Sequence, residues 1–137
     1  MDGTTERAGD FALPSRCRFH YTADMNADPK LLQELQLELS RQITGEVRFD
    51  DMTRGLYSTD ASIYQITPLG VVLPKTADDV RVAVSIAAKF GVPVLARGSG
   101  TSLSGQTVAA ALVIDCSKYL NRILEIDVAR RLVRVEP

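Results

Sequence analysis

Between Val71 and Asp115 apolar segments alternate with a capped helix and a glycine loop, an order that restricts the fold more than any other feature. Val71-Val72-Leu73 lies between Pro68 and Pro74 and reads as a short buried strand. Thr76 with Asp79 three residues on resembles a capping box, with Asp in place of the usual Glu or Gln. The helix that follows turns Val80, Ala83, Val84 and Ala87 inward, carries Lys89 in its last turn and stops at Gly91. Val92–Ala96 reads as a second buried strand, and Ala111-Leu112-Val113-Ile114-Asp115 as a third. Strand, helix, strand in that order implies parallel pairing through a right-handed crossover.

The loop after the second strand, Arg97-Gly98-Ser99-Gly100-Thr101-Ser102-Leu103-Ser104-Gly105, is the candidate site. Three glycines and four hydroxyl side chains in nine residues pack poorly but suit an anion. Glycine permits sharp turns and close approach, and successive backbone N–H groups form a nest for phosphate. Arg97 at its entrance is its only charge, so most donors would come from the main chain. The dinucleotide fingerprint G-x-G-x-x-G fails because Leu103 occupies the third glycine position. A Walker A loop fails because Gln106 stands where its lysine must reach the phosphates. A diphosphate held by backbone amides without lysine or magnesium fits best. FAD carries such a group and so do UDP-sugars; a serine- and glycine-rich surface turn without a ligand is the plain alternative.

Elsewhere the chain supplies packing. Asp28-Pro29 is a helix start, and Leu31, Leu32, Leu35 and Leu39 form a stripe on a helix that ends at Gly45 as C-cap. Val47 to Gln65 reads as polar turns, in which Ser58, Thr59, Asp60 and Ser62 are capped-turn residues or cofactor contacts. Arg122–Ile126 and Leu132–Glu136 read as an antiparallel hairpin with one wet face. Residues 1–27 read as a mobile leader. A hairpin alone is marginal in water, so a chain ending on one at Pro137 is expected to be a piece of a longer protein.

The formal net charge of −1 and scattered lysines and arginines argue against nucleic acid as a partner. Cys17 and Cys116 form no metal or redox spacing and fit a reducing, cytoplasmic compartment. Cys116 reads as a small buried hydrophobe, Cys17 and His20 as exposed bystanders. No metal site and no transmembrane segment are expected, and peripheral attachment to the inner membrane through a region outside the chain is left open.

Taken together, the glycine loop, the segment Val71–Val80 before it and Tyr57-Ser58-Thr59-Asp60-Ala61-Ser62-Ile63-Tyr64 resemble FAD-linked oxidases of the vanillyl-alcohol oxidase type. Within that family the likeness is to bacterial enzymes oxidising D-lactate, glycolate or D-2-hydroxyglutarate, above all large members with an iron–sulfur region. The resemblance implies an α/β fold, α+β taken as a whole. Its parts are an N-terminal helix and turn segment (28–66), then a small parallel β-α-β lobe with the hairpin (67–137), the first lobe of a two-lobed FAD-binding domain. It makes Arg97, Gly98, Ser99, Gly100 and Thr101 the turn around the FAD pyrophosphate, completed by Ser102, Leu103, Ser104 and Gly105. Gln106 then stands beside the flavin and Pro74 lines the adenine or ribose side. Thr101 stands where members with covalent flavin often carry histidine, so the FAD is expected to be non-covalent. No catalytic residue is assigned to this chain. Its implied partners are the rest of its own polypeptide and a 2-hydroxy acid. A related FAD domain serves the reductase acting on UDP-N-acetylenolpyruvylglucosamine, which is the alternative.

Overall fold

The computed structural model describes residues 28–137; the expected leader, Cys17 and His20 lie outside them. Helix α1 (Pro29–Gln42) starts as expected, with the Asp28 carboxylate accepting from the Lys30 N–H at 3.0 Å. Leu35 and Leu39 from its stripe are fully buried, each worth about 2 kcal/mol of apolar transfer. The helix ends at Ile43 in extended backbone, and Gly45 is not its C-cap. That glycine answers a different need: a Cβ there would lie 2.2 Å from the Leu73 carbonyl oxygen.

The stretch expected to be polar turns holds two further elements, strand β1 (Glu46–Arg48) and helix α2 (Asp51–Leu56). Neither is long enough to show a period in sequence. β1 is a strand because it pairs, antiparallel, with β2 (Gly70–Leu73), with Val47 opposite Val72. α2 is started by Asp50, whose carboxylate accepts from the Thr53 N–H at 2.9 Å.

From β2 the chain passes through α3 (Ala77–Lys89) to β3 (Val94–Arg97) and then β4 (Leu112–Asp115). The sheet order is β1-β2-β4-β3, with β2 and β3 both parallel to β4. The β2–α3–β3 crossover thus leaves a central slot that β4 fills, and every residue of β4 is buried. β3, expected to be buried, is instead the sheet edge, and Val94 and Ala96 are exposed. α1 and α3 cover one face of the sheet around Val72, Leu112 and Ile114. The other face carries Val71, Leu73 and Val113 under Tyr57, Leu95 and Tyr119.

The capping box on α3 is present in both directions. Ala83 and Ala87 point inward as expected and Val80 packs at the core margin, but Val84 is 45% exposed and Ile86 takes the core position. Cys116 is buried as expected, and burial pushes its thiol pKa up.

The tail forms the expected antiparallel hairpin, β5 (Ile123–Asp127) with β6 (Leu132–Val135). A bulge between Ile123 and Glu125 sets Ile123 against Val135 and Ile126 against Val133. Opposed residues share a face, so these four form one apolar face, while Glu125 and Arg134 pair on the other. The expected alternation holds, with the apolar residues on one face and Glu125 and Arg134 on the other, and the apolar face is itself exposed, in keeping with a hairpin that is marginal alone. No helix among the described residues is long and apolar enough to cross a membrane.

Candidate functional site

The loop from Gly98 to Ala111 leaves the carboxyl end of β3 and returns to the start of β4. In open parallel sheets ligands bind at that edge. Gly100 and Gly105 have φ of 68° and 74°, which favours glycine over any side chain. Each also has a neighbour where a Cβ would sit. At Gly100 that Cβ would be 2.5 Å from Nη2 of Arg97, and at Gly105 2.6 Å from the Tyr64 ring. Gly98 has ordinary backbone and open space around it, so its missing side chain leaves room for an approaching group.

Among the described residues, the consecutive main-chain N–H groups of Gly98, Ser99, Gly100, Thr101, Ser102 and Leu103 donate to no protein acceptor. Beyond Leu103 the N–H groups of Ser104, Gln106 and Thr107 are taken and that of Gly105 is not. The Ser102 hydroxyl accepts from the N–H of Ser104 at 3.4 Å and of Gln106 at 3.1 Å, and it bonds the Gln106 side-chain oxygen. Ser102 and Gln106 therefore close the far end of the loop on each other. Thr101, Leu103 and Ser104 are exposed.

Arg97, expected as the cation at the entrance, turns its guanidinium back under the loop. Nη1 donates to the carbonyl of Thr107 at 3.1 Å and of Tyr57 at 3.4 Å, and Cζ lies 5.1 Å from the centre of the Tyr57 ring. Pro74 stands at the carboxyl end of β2, on the same sheet edge, but its ring is fully buried and offers no open face. It ends the strand rather than lining an open surface.

The segment Tyr57–Tyr64 lies along the loop. The Ala61 N–H donates to the Gly100 carbonyl at 3.0 Å. Asp60 accepts from the Thr107 hydroxyl at 2.9 Å and from the Ser62 N–H at 2.9 Å. The Ser62 hydroxyl beside it, and then the Ser62 and Thr107 donors, hold the Asp60 carboxyl at about 2. Ser58 is buried and donates to the Gly55 carbonyl at 2.7 Å, as a turn residue does. From sequence alone this segment is a set of capped-turn residues or of cofactor contacts. Its attachment to the loop was hidden because Asp60 and Thr107 lie 47 residues apart.

Two further clusters on this edge had no sequence signal. The Tyr57 hydroxyl donates to buried Asp115 at 2.5 Å, and burial together with that carboxylate drives the phenol pKa up. Glu46, opposite Leu73, accepts from the Tyr119 hydroxyl at 2.5 Å, from Arg48 at 2.8 Å and from the Lys118 ammonium. The Lys118 bond above all, then Tyr119 and Arg48, hold Glu46 at about 2.

The arrangement can bind an anion through main-chain donors. It is poorly built for proton transfer. Asp60, the carboxylate tied to the loop, is held low and already hydrogen-bonded, which makes it a weak base. No group of three or more His, Cys, Asp or Glu side chains among the described residues could hold a metal ion.

A family profile described as FAD binding domain matches residues 68–137, just over half of the chain. The chain is 37% identical over 114 residues to D-2-hydroxyglutarate dehydrogenase of Pseudomonas putida, covering 79% of this chain and 11% of that protein. It is 38% identical over 101 residues to the glycolate oxidase subunit GlcD of Bacillus subtilis, covering 70% of this chain and 21% of that one. The chain thus spans about a tenth to a fifth of the length of these curated relatives. Among solved structures it is similar to 4-ethylphenol oxidase from Gulosibacter chungangensis, with a TM-score of 0.61 and 24% identity over 75% of this chain and 21% of that chain. That likeness concerns the fold alone.

Proposed function

The chain belongs to the FAD binding domain family, and from this premise we propose that its glycine loop, Arg97–Gln106, grips the FAD pyrophosphate in a longer flavin-dependent oxidoreductase that oxidises a 2-hydroxy acid. One observation carries the assignment of the loop: the unbroken run of free N–H groups from Gly98 to Leu103 at the carboxyl end of β3. Successive unbonded main-chain N–H groups can form a nest for a diphosphate, and such a nest works without a lysine or a divalent cation. The residues fit the group. Gly98 leaves the approach open and Gly100 adopts the left-handed turn.

When bound, FAD supplies the acceptor for the two electrons of the oxidation, and the protein positions and tunes it. In this reading Gly98–Leu103 bind and orient the diphosphate. Ser102 and Gln106 keep the far end of the loop closed, and the Asp60–Thr107 bond holds its return strand. Thr101 offers no imidazole for a covalent link, which supports a non-covalently held cofactor. The general base and the groups that recognise the acid belong to the rest of the longer polypeptide, which is this chain's main partner. The names of the relatives support a 2-hydroxy acid over a nucleotide-sugar substrate, since they are a D-2-hydroxyglutarate dehydrogenase and a glycolate oxidase subunit.

Calorimetric titration of the chain with ADP, FAD and FMN tests the loop. ADP and FAD, which carry a diphosphate, are expected to bind, and FMN, which carries a single phosphate, to bind weakly. Gly100→Val is expected to abolish both signals, because its Cβ would strike the Arg97 guanidinium at a φ that only glycine adopts readily. Equal silence from all three ligands with the unmodified chain rejects the proposal.

A further inference from the structure

We infer that Arg97 is a positioning residue for the diphosphate site: its guanidinium braces the loop from beneath and does not itself contact the bound anion. This rests on the reading of the loop as a diphosphate site. The geometry behind it is a closed ring of contacts. Arg97 Nη1 bonds the Thr107 carbonyl at 3.1 Å, and Thr107 bonds Asp60 through its hydroxyl at 2.9 Å. Ala61, next to Asp60, donates to the Gly100 carbonyl at 3.0 Å. The α-carbon of Gly100 lies back against the Arg97 guanidinium, where a Cβ would approach Nη2 to 2.5 Å and Cζ to 3.0 Å. The second bond of Nη1, to the Tyr57 carbonyl at 3.4 Å, fixes the neighbouring segment to the same point. The Tyr57 ring, 5.1 Å away, supports the cation.

A lysine is a poor replacement: Nη1 alone reaches both carbonyls, but it is held there by a planar guanidinium whose Nη2, Cζ and Nε lie beside Gly100 and whose Cζ stands over the Tyr57 ring, contacts that a compact ammonium on a flexible stem does not make. The loop's donors are useful only if they converge before the ligand arrives. A brace that joins the end of β3 to the exit of the loop at Thr107 holds them so without using any of them. It also explains why the glycine at 100 is needed twice over, for its φ of 68° and for the room its neighbour occupies.

The test compares the unmodified chain with Arg97→Lys and Arg97→Gln, by calorimetry with ADP and FAD and by amide hydrogen exchange. Loss of charged hydrogen bonds of this kind is expected to weaken both ligands about tenfold in both variants. Exchange is expected to quicken at the bonded amides around the loop, Ala61, Gln106 and Thr107, while Val113 and Ile114 in β4 keep their protection. Arg97→Lys binding like the unmodified chain while Arg97→Gln loses affinity overturns the inference, since charge alone would then suffice and a direct contact is indicated. Unchanged binding in both variants overturns it too. Should Arg97→Gln fail to fold, Arg97→Lys decides. A failure of that variant to fold also overturns the inference, because it places the role in the core rather than the loop. Absence of ADP and FAD binding by the unmodified chain rejects the diphosphate site itself, whereas bound ligand with indifferent variants rejects only the brace.

Discussion

Asp79 shows how much one carboxylate can organise when it is buried. Its oxygens accept from the N–H groups of Thr44 at 2.9 Å, Lys75 at 2.8 Å and Thr76 at 3.3 Å, and from the Thr44 hydroxyl. It thereby ties the end of α1, the exit of β2 and the start of α3. Burial alone would raise its pKa, but the donors of Thr44, Lys75 and Thr76 outweigh it and the carboxyl lies below its ordinary value. A carboxyl depressed in the folded state stabilises it above the unfolded pKa of about 3.9, and that contribution is lost as pH falls through the folded value. Asp79→Asn is therefore expected to cost about 2 kcal/mol at neutral pH, since buried N–H groups lose a charged acceptor. It should also remove part of the loss of stability expected of the unmodified chain below about pH 4. Urea unfolding from pH 7 down to pH 2 measures both effects. An Asn variant with native stability and native acid dependence would show that the bonds contribute nothing. The Thr76–Asp79 box was legible because its parts lie three residues apart, whereas the Thr44 link spans 35 residues and leaves no local trace.

At the scale of elements, local chemistry was readable and placement within the sheet was not. The apolar runs at 71–73 and 111–115 and the capped helix between them are strongly marked, and they became β2, β4 and α3. The run at 92–96 is as apolar as the others, yet β3 pairs on one side only. An edge position depends on strand order, which no residue of the run encodes. Likewise the period of α3 turns Val84 inward, whereas the packing of α1 across it selects Ile86 and leaves Val84 exposed. That choice separates two substitutions. Val84→Asp, at a position that the sequence pattern turns inward, is expected to change stability by less than about 0.5 kcal/mol because the site is exposed. Ile86→Ala is expected to cost about 3 kcal/mol, because it removes buried atoms and leaves a cavity against the sheet. Thermal and urea unfolding of the two variants check this, and a larger loss from Val84→Asp than from Ile86→Ala would reverse the assignment. The glycine loop was legible as an anion cradle from composition alone. The inward turn of Arg97 was not, because it depends on Tyr57 and Thr107 being brought beneath it.

Over the whole molecule, the α/β unit and the hairpin differ in how they are held. The unit buries Val72, Leu112 and Ile114 between the sheet and two helices, and its central strand pairs on both sides. The hairpin has two strands, and Ile123, Ile126, Val133 and Val135 make an apolar face that nothing among the described residues covers. Its polar fastenings are surface pairs, Arg122 with Glu136 at 2.8 Å and Arg134 with Glu125 at 3.6 Å. Exposed pairs of this kind contribute about 0–1 kcal/mol each and weaken with salt. Alternation in the sequence marks which residues of the hairpin share a face and not whether anything packs on it. Local opening should follow this division. Amides bonded across β5 and β6 are expected to exchange at least about tenfold faster than those of β2 and β4, because a two-stranded ribbon is marginal in water. Raising the salt concentration should widen that gap, since it weakens the surface pairs and leaves the buried sheet untouched. Hydrogen exchange followed residue by residue measures both. Hairpin protection equal to that of β4 would mean that the ribbon opens only with the core, and the two parts would have to be treated as one cooperative unit.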